Sequence, residues 1–156
     1  MRKRELKLVW RRNSMVKKLK KIVRVLFIVP VAMLLLSACG GIAQGTVNVQ
    51  LDAFSITMPN KIKAGQITFH VTNIDSADTH SFIILKTDLD PGALPLDSSN
   101  NVYLTAQDLA RIDGIDQLAP DAVQDLIVNL QPGNYVAICH LPGHYQAGMY
   151  AGFTVQ

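Results

Sequence analysis

Between residues 47 and 155 the chain is written in short runs of alternating apolar and polar positions. Val47, Val49 and Leu51 stand at every second position of residues 47–51, and residues 54–58 continue the pattern up to the breaker Pro59-Asn60. Residues 67–73 form another run, introduced by the turn signal Ala64-Gly65, and residues 81–85 follow. Later, residues 125–130 lead into the turn Gln131-Pro132-Gly133-Asn134, residues 135–139 make the next run, and residues 150–155 the last. Period two is the mark of a half-buried strand, because successive side chains point to opposite faces. Seven short strands separated by turn signals predict an all-β sandwich. The pattern breaks at residues 88–121. Pro91-Gly92 and Asp97-Ser98-Ser99-Asn100-Asn101 are loop-like, and Thr105-Ala106-Gln107-Asp108 has capping-box spacing, with Asp in place of the usual Glu. That spacing predicts a short helix through Arg111 and Ile112. The organisation is one domain, 47–156, with one loop and short-helix insertion.

Charge divides the chain before this domain begins. Eleven of the fifteen basic residues precede Cys39, whereas beyond it four cations face eleven aspartates and no glutamate, a net of about −7. The overall +3 is therefore no sign of nucleic-acid binding. Residues 1–38 read as an export signal: a basic stretch, an apolar run over 25–36, then Ser37-Ala38-Cys39. The run is shorter than the ~20 apolar residues of a membrane span. Leu36-Ser37-Ala38-Cys39 resembles the bacterial lipobox, which implies that Cys39 is lipidated, becomes the new N-terminus, and is joined to the domain by a tether over 39–46. Met15, followed by Val16-Lys17-Lys18, opens a signal of ordinary length and is a better start than Met1. The expected location is the outer face of the cell membrane or the periplasm.

If Cys39 takes lipid, Cys139 is the one remaining cysteine. A lone thiol in an oxidising compartment is buried, reactive or metal-bound. Its surroundings favour the last. Cys139, His144 and Met149 lie within eleven residues, on a loop between two predicted strands. Soft sulfur with imidazole suits copper cycling between Cu(I) and Cu(II), and two histidines, one cysteine and a weak axial methionine mark electron-transfer copper. The missing histidine comes from elsewhere in the chain. His70 sits mid-strand; His80 opens a strand beside a loop, where a ligand can meet a second loop, and is preferred.

These residues resemble the cupredoxins, the type 1 (blue) copper proteins such as plastocyanin, azurin and rusticyanin, whose fold is a Greek-key β-sandwich. The resemblance spans nearly all of residues 47–156. It rests on Asn73 before His80, on Pro132-Gly133-Asn134-Tyr135 leading to Cys139, and on the Cys-x4-His-x4-Met loop. It implies one copper ion held by His80, Cys139, His144 and Met149. It also implies an electron port at the exposed edge of His144, rimmed by Leu141, Pro142, Gly143 and Ala147. The function implied is one-electron transfer by a monomer to a redox partner such as a cytochrome or a terminal oxidase or reductase. The alternative is a lipoprotein that stores, delivers or senses copper. A multicopper oxidase is excluded: Ile138 precedes the cysteine, the chain has four histidines, and no His-x-His occurs. His140, next to Cys139, is expected to point away from the metal as a surface residue, and His70 to sit on the solvent face of its sheet.

Overall fold

The computed structural model describes residues 45–156, where the seven alternating runs become strands, two further strands join them, and no helix occurs. The predicted signal, Cys39 with its expected lipid, and residues 40–44 of the expected tether lie outside the described residues. Gly45 and Thr46, expected in the tether, instead open the first strand. In chain order the strands are β1 (Gly45–Asp52), β2 (Ser55–Thr57), β3 (Lys61–Ile62), β4 (Gly65–Asn73) and β5 (His80–Lys86), followed by β6 (Ala110–Leu118), β7 (Val123–Leu130), β8 (Gly133–Ile138) and β9 (Tyr150–Val155).

They form two mixed sheets. One has the order β2-β1-β4-β7, the other β3-β9-β8-β5-β6. The period-two pattern decides what lies between them. Val49, Leu51, Phe69, Val71, Leu126 and Val128 point inward from the first sheet and meet Phe82, Ile84, Tyr135, Ala137 and Phe153 of the second. β7 keeps strict alternation over its second half, as expected of a strand with one wet face. β5 does not alternate: His80 through Leu85 are all buried, as are Tyr135 through Ile138 of β8. The reason is a second apolar layer. Leu94, Val102 and Leu109 of the 88–109 segment cover the outer face of β5 and β8, packing on Ile83, Leu85, Val136 and Ile138.

The expected helix over 105–112 is absent. Residues 103–109 make tight turns, in which the Ala106 and Leu109 amides donate to the Tyr103 and Ala106 carbonyls. Residues 110–118, read as helix and loop, are β6, the edge strand beside β5. Local propensity loses to tertiary pairing here, because β5 is buried and its free edge needs hydrogen-bond partners. β6 hides from sequence reading for two reasons. It is mostly exposed, with Arg111, Asp113 and Asp116 guarding the edge. Its pairing with β5 is also twice out of step, between His80 and Phe82 and between Ile84 and Leu85. Asp113-Gly114 looks like a turn but is a close approach of strands: a Cβ on Gly114 would stand 2.8 Å from the Phe82 carbonyl oxygen.

Candidate metal centre

The end of β4 prepares the first histidine. The side-chain amide of Asn73, wholly buried, shares its two N–H groups among the carbonyls of Asp78 (2.8 Å), Leu118 (3.1 Å) and Ala119 (3.1 Å), while its oxygen accepts the Asp75 amide. One carboxylate oxygen of Asp75 then accepts the amides of Ala77 (2.8 Å) and Asp78 (3.3 Å), closing an Asx-type turn. This cross-linked loop delivers His80 as the first residue of β5. On the facing strand, β8 ends at Ile138 and presents Cys139. The following loop is wound by amide bonds from His144 to Leu141 O, Ala147 to Gly143 O and Met149 to His144 O, and it closes where the Cys139 amide meets Met149 O.

The outcome is a convergence of donors. His80 Nδ1 and His144 Nδ1 are 3.3 Å apart, and Cys139 Sγ is 3.5 Å from His144 Nδ1. One donor atom from each of the three residues lies within 4.8 Å of the others. Met149 is fully buried in the same core cluster as Cys139 and is tied to both loop donors through its backbone. Thus His80, Cys139 and His144 are brought together, and Met149 lies beside them.

The surrounding groups fix how these donors face. His80 Nε2 is 3.1 Å from the second Asp75 oxygen. A carboxylate accepts, so Nε2 carries the proton and Nδ1 presents its lone pair toward Cys139 and His144, the carboxylate–histidine arrangement common at metal sites. The Asp75 carboxyl is held below its usual range, chiefly by the Ala77 amide and further by His80, against the opposing effect of its own burial. Ser81 serves the sulfur. Its backbone N–H and its hydroxyl approach Cys139 Sγ at 3.3 and 3.5 Å. Ser81 Oγ accepts the His140 amide at 2.6 Å, which leaves the hydroxyl proton for the sulfur. Neither Asp75 nor Ser81 was singled out from the sequence.

Burial lowers the His144 pKa from its ordinary value; His80 adds to the effect, and Asp78 and Asp75 oppose it. Because the native imidazole is harder to protonate than the unfolded one, the stabilising contribution is present above about pH 6.5. It is lost as the pH falls through the lowered native value. The metal-free domain is therefore expected to show a lower urea midpoint at pH 5 than at pH 7.5, with part of the loss removed in His144→Gln.

Two other histidines are placed differently. His70 is on the solvent face of β4, 2.7 Å from Asp125 across the β7 pairing, as expected of a residue outside the site. His140 points away from the donors but is not the free surface residue anticipated: it is half-buried and its Nε2 lies 2.9 Å from the Val102 carbonyl. Around His144, which is half-buried, Pro142, Gly143 and Ala147 are exposed and Leu141 half-buried. Phe54 joins them. It lies in the turn between β1 and β2 with φ +56°, is 49% exposed, and stands edge-on to the His144 ring with centroids 5.4 Å apart. An exposed aromatic inside an alternating run was its only signal.

No protein family and no curated protein matches the sequence. Solved structures do match in fold. Dithionite-reduced auracyanin from the photosynthetic bacterium Roseiflexus castenholzii aligns with TM-score 0.55 and 21% identity, over 73% of this chain and 98% of that protein. Auracyanin B aligns at 0.54 and 20%, over 74% and 91%. Rusticyanin from Thiobacillus ferrooxidans aligns at 0.51 and 19%, over 81% and 93%. Two imidazoles, a thiolate and a nearby thioether are the soft and borderline donors that suit copper. Residues 45–156 thus have the cupredoxin fold, and they gather His80, Cys139 and His144, with Met149 adjacent, in a set that fits one type 1 copper ion.

Proposed function

We propose that this protein is a one-electron carrier built on a single copper ion held by His80, Cys139, His144 and Met149, fastened through lipid on Cys39 to the outer face of a membrane. The observation that carries the reading is the convergence of His80, Cys139 and His144 within 4.8 Å. Bound there, a copper ion supplies chemistry one electron at a time. The chain's own groups serve that role. Asp75 keeps His80 in the tautomer whose Nδ1 is free to ligate. Cys139 and Met149 are 0% and His80 1% exposed, so water is kept from three of the four donors, and His144 is the one that reaches the surface. A site closed in this way favours retention of metal over its exchange. The exposed apolar rim around His144 suits brief docking, and the net negative charge suits a redox partner with a basic face, such as a cytochrome or a terminal oxidase or reductase.

Ser81 sets a measurable property. Its two donors withdraw electron density from the sulfur and so stabilise the more electron-rich, reduced site. Ser81→Ala removes one of them and is expected to lower the reduction potential by tens of millivolts, the equivalent of ~1 kcal/mol for one such hydrogen bond. A redox titration checks it.

The reading itself is tested by visible absorption and EPR of the purified protein loaded with Cu(II). An intense thiolate-to-copper band, bleached by ascorbate and restored by oxidant, is the expected result. A pale protein with an ordinary tetragonal Cu(II) signal, or no stoichiometric copper, overturns it in favour of metal delivery or a structural role.

A further inference from the structure

The segment that interrupts the strand pattern is fastened to the donor loop at two residues, and each directly follows a donor. His140 follows Cys139, and its Nε2–H donates to the Val102 carbonyl at 2.9 Å. Tyr145 follows His144; its hydroxyl donates to the Pro91 carbonyl at 2.8 Å and accepts the Leu94 amide at 2.9 Å. Cys139 and Met149 pack in the core between the sheets, whereas Tyr145 and Val102 pack in the second apolar layer outside it. A cover for the outer face of β5 and β8 needs only apolar side chains, which Leu94, Val102 and Leu109 already supply. The directional bonds are additional. They use main-chain groups of the segment, which shape rather than side-chain identity must position. The segment is itself seated closely: a Cβ on Gly152 would stand 2.7 Å from Pro91 Cγ, so Pro91 lies flat on β9.

We propose that residues 91–102 are a brace for the metal centre, and that His140 and Tyr145 are positioning residues that hold Cys139 and His144 where their donor atoms converge. The copper-dependent part rests on the function proposed above; the bracing of the loop does not. A backbone gripped from behind at both donor positions cannot spread when the oxidation state changes or when a competing ligand arrives. Removing one grip loosens one donor relative to the other, while the apolar cover stays in place.

The test compares His140→Ala and Tyr145→Phe with His140→Gln, whose side-chain amide can still donate to Val102. Leu109→Ala, which weakens the cover and removes neither anchor hydrogen bond, serves as the control. Amide hydrogen exchange in the metal-free protein and copper release to a chelator from the Cu(II)-loaded protein are read together with EPR. The expected result is exchange over residues 140–149 and copper release each about tenfold faster in His140→Ala and Tyr145→Phe, with altered copper hyperfine splitting. His140→Gln should return toward wild type, and Leu109→Ala should lower stability while leaving the splitting unchanged. Loop exchange, release and splitting in the two anchor variants that match wild type, or that merely match Leu109→Ala, overturn the proposal. If wild type itself develops no thiolate band, the copper reading fails, and exchange in the metal-free loop still decides whether the segment is a brace.

Discussion

Cys139→Ser is expected to abolish the thiolate-to-copper band completely and to weaken copper binding at least 100-fold, more than the 10–100-fold typical of losing an outer partner of a metal site. A serine hydroxyl does not ionise near neutral pH and is a hard oxygen, whereas copper in its reduced state prefers soft sulfur. The side chains are similar in size, and the Ser81 amide and hydroxyl remain to meet the new oxygen. The fold should therefore persist, at a cost of about 1–3 kcal/mol for a hydroxyl in a buried position. Near-UV circular dichroism with a copper titration separates the two effects. A variant that is folded yet colourless confirms Cys139 as the coloured ligand; one that keeps the band excludes it.

The second large effect lies away from the donors. Asn73→Ala removes the amide that joins loop 74–79 to the end of β6, leaving the Leu118 and Ala119 carbonyls without that partner. Each orphaned buried group costs about 1–3 kcal/mol, so the expected loss for the two is roughly 2–6 kcal/mol, or a fall of about ten degrees or more in Tm. Because the same loop carries Asp75, His80 should lose its fixed tautomer and copper affinity should fall too. Asn73→Asp should not rescue stability, since a carboxylate has no N–H to offer three carbonyls. Thermal denaturation of both variants checks this; an Asp variant as stable as wild type would contradict it.

The sequence announced what is periodic and what is chemically scarce. Strands facing one core from one side, such as β1, β4 and β7, carried their alternation openly. Three of the four proposed ligands stood out because sulfur and imidazole recur at short spacing over residues 139–149, and His80 because it opens a strand beside a loop. What stayed hidden depends on partners distant in the chain. β6 is an edge strand held by pairing with β5, and its residues carry no periodic stripe. Ser81 looked like the polar start of a strand until Cys139 was brought to it from 58 residues away. Asn73 was visible as the end of a run, but its three carbonyl acceptors were not. His140 was correctly expected to turn from the donors, yet only the folded 88–109 segment supplies the Val102 oxygen that it reaches.

The place of β9 in its sheet also bears on when the protein can acquire its metal. β9 lies between β8 and β3, pairing Tyr150 with Ile138 on one side and Val155 with Ile62 on the other. β9, the last of the nine strands described, is therefore an interior one, and the sheet cannot be completed before residues 150–155 have left the ribosome or a translocation pore. Contacts of such long sequence separation form late and together. His80 will have been synthesised well before it has Cys139 and His144 to face. Vectorial synthesis thus orders the events: β9 emerges, the sandwich closes, and only then does a cage of donors exist, which makes metal loading a step that follows folding.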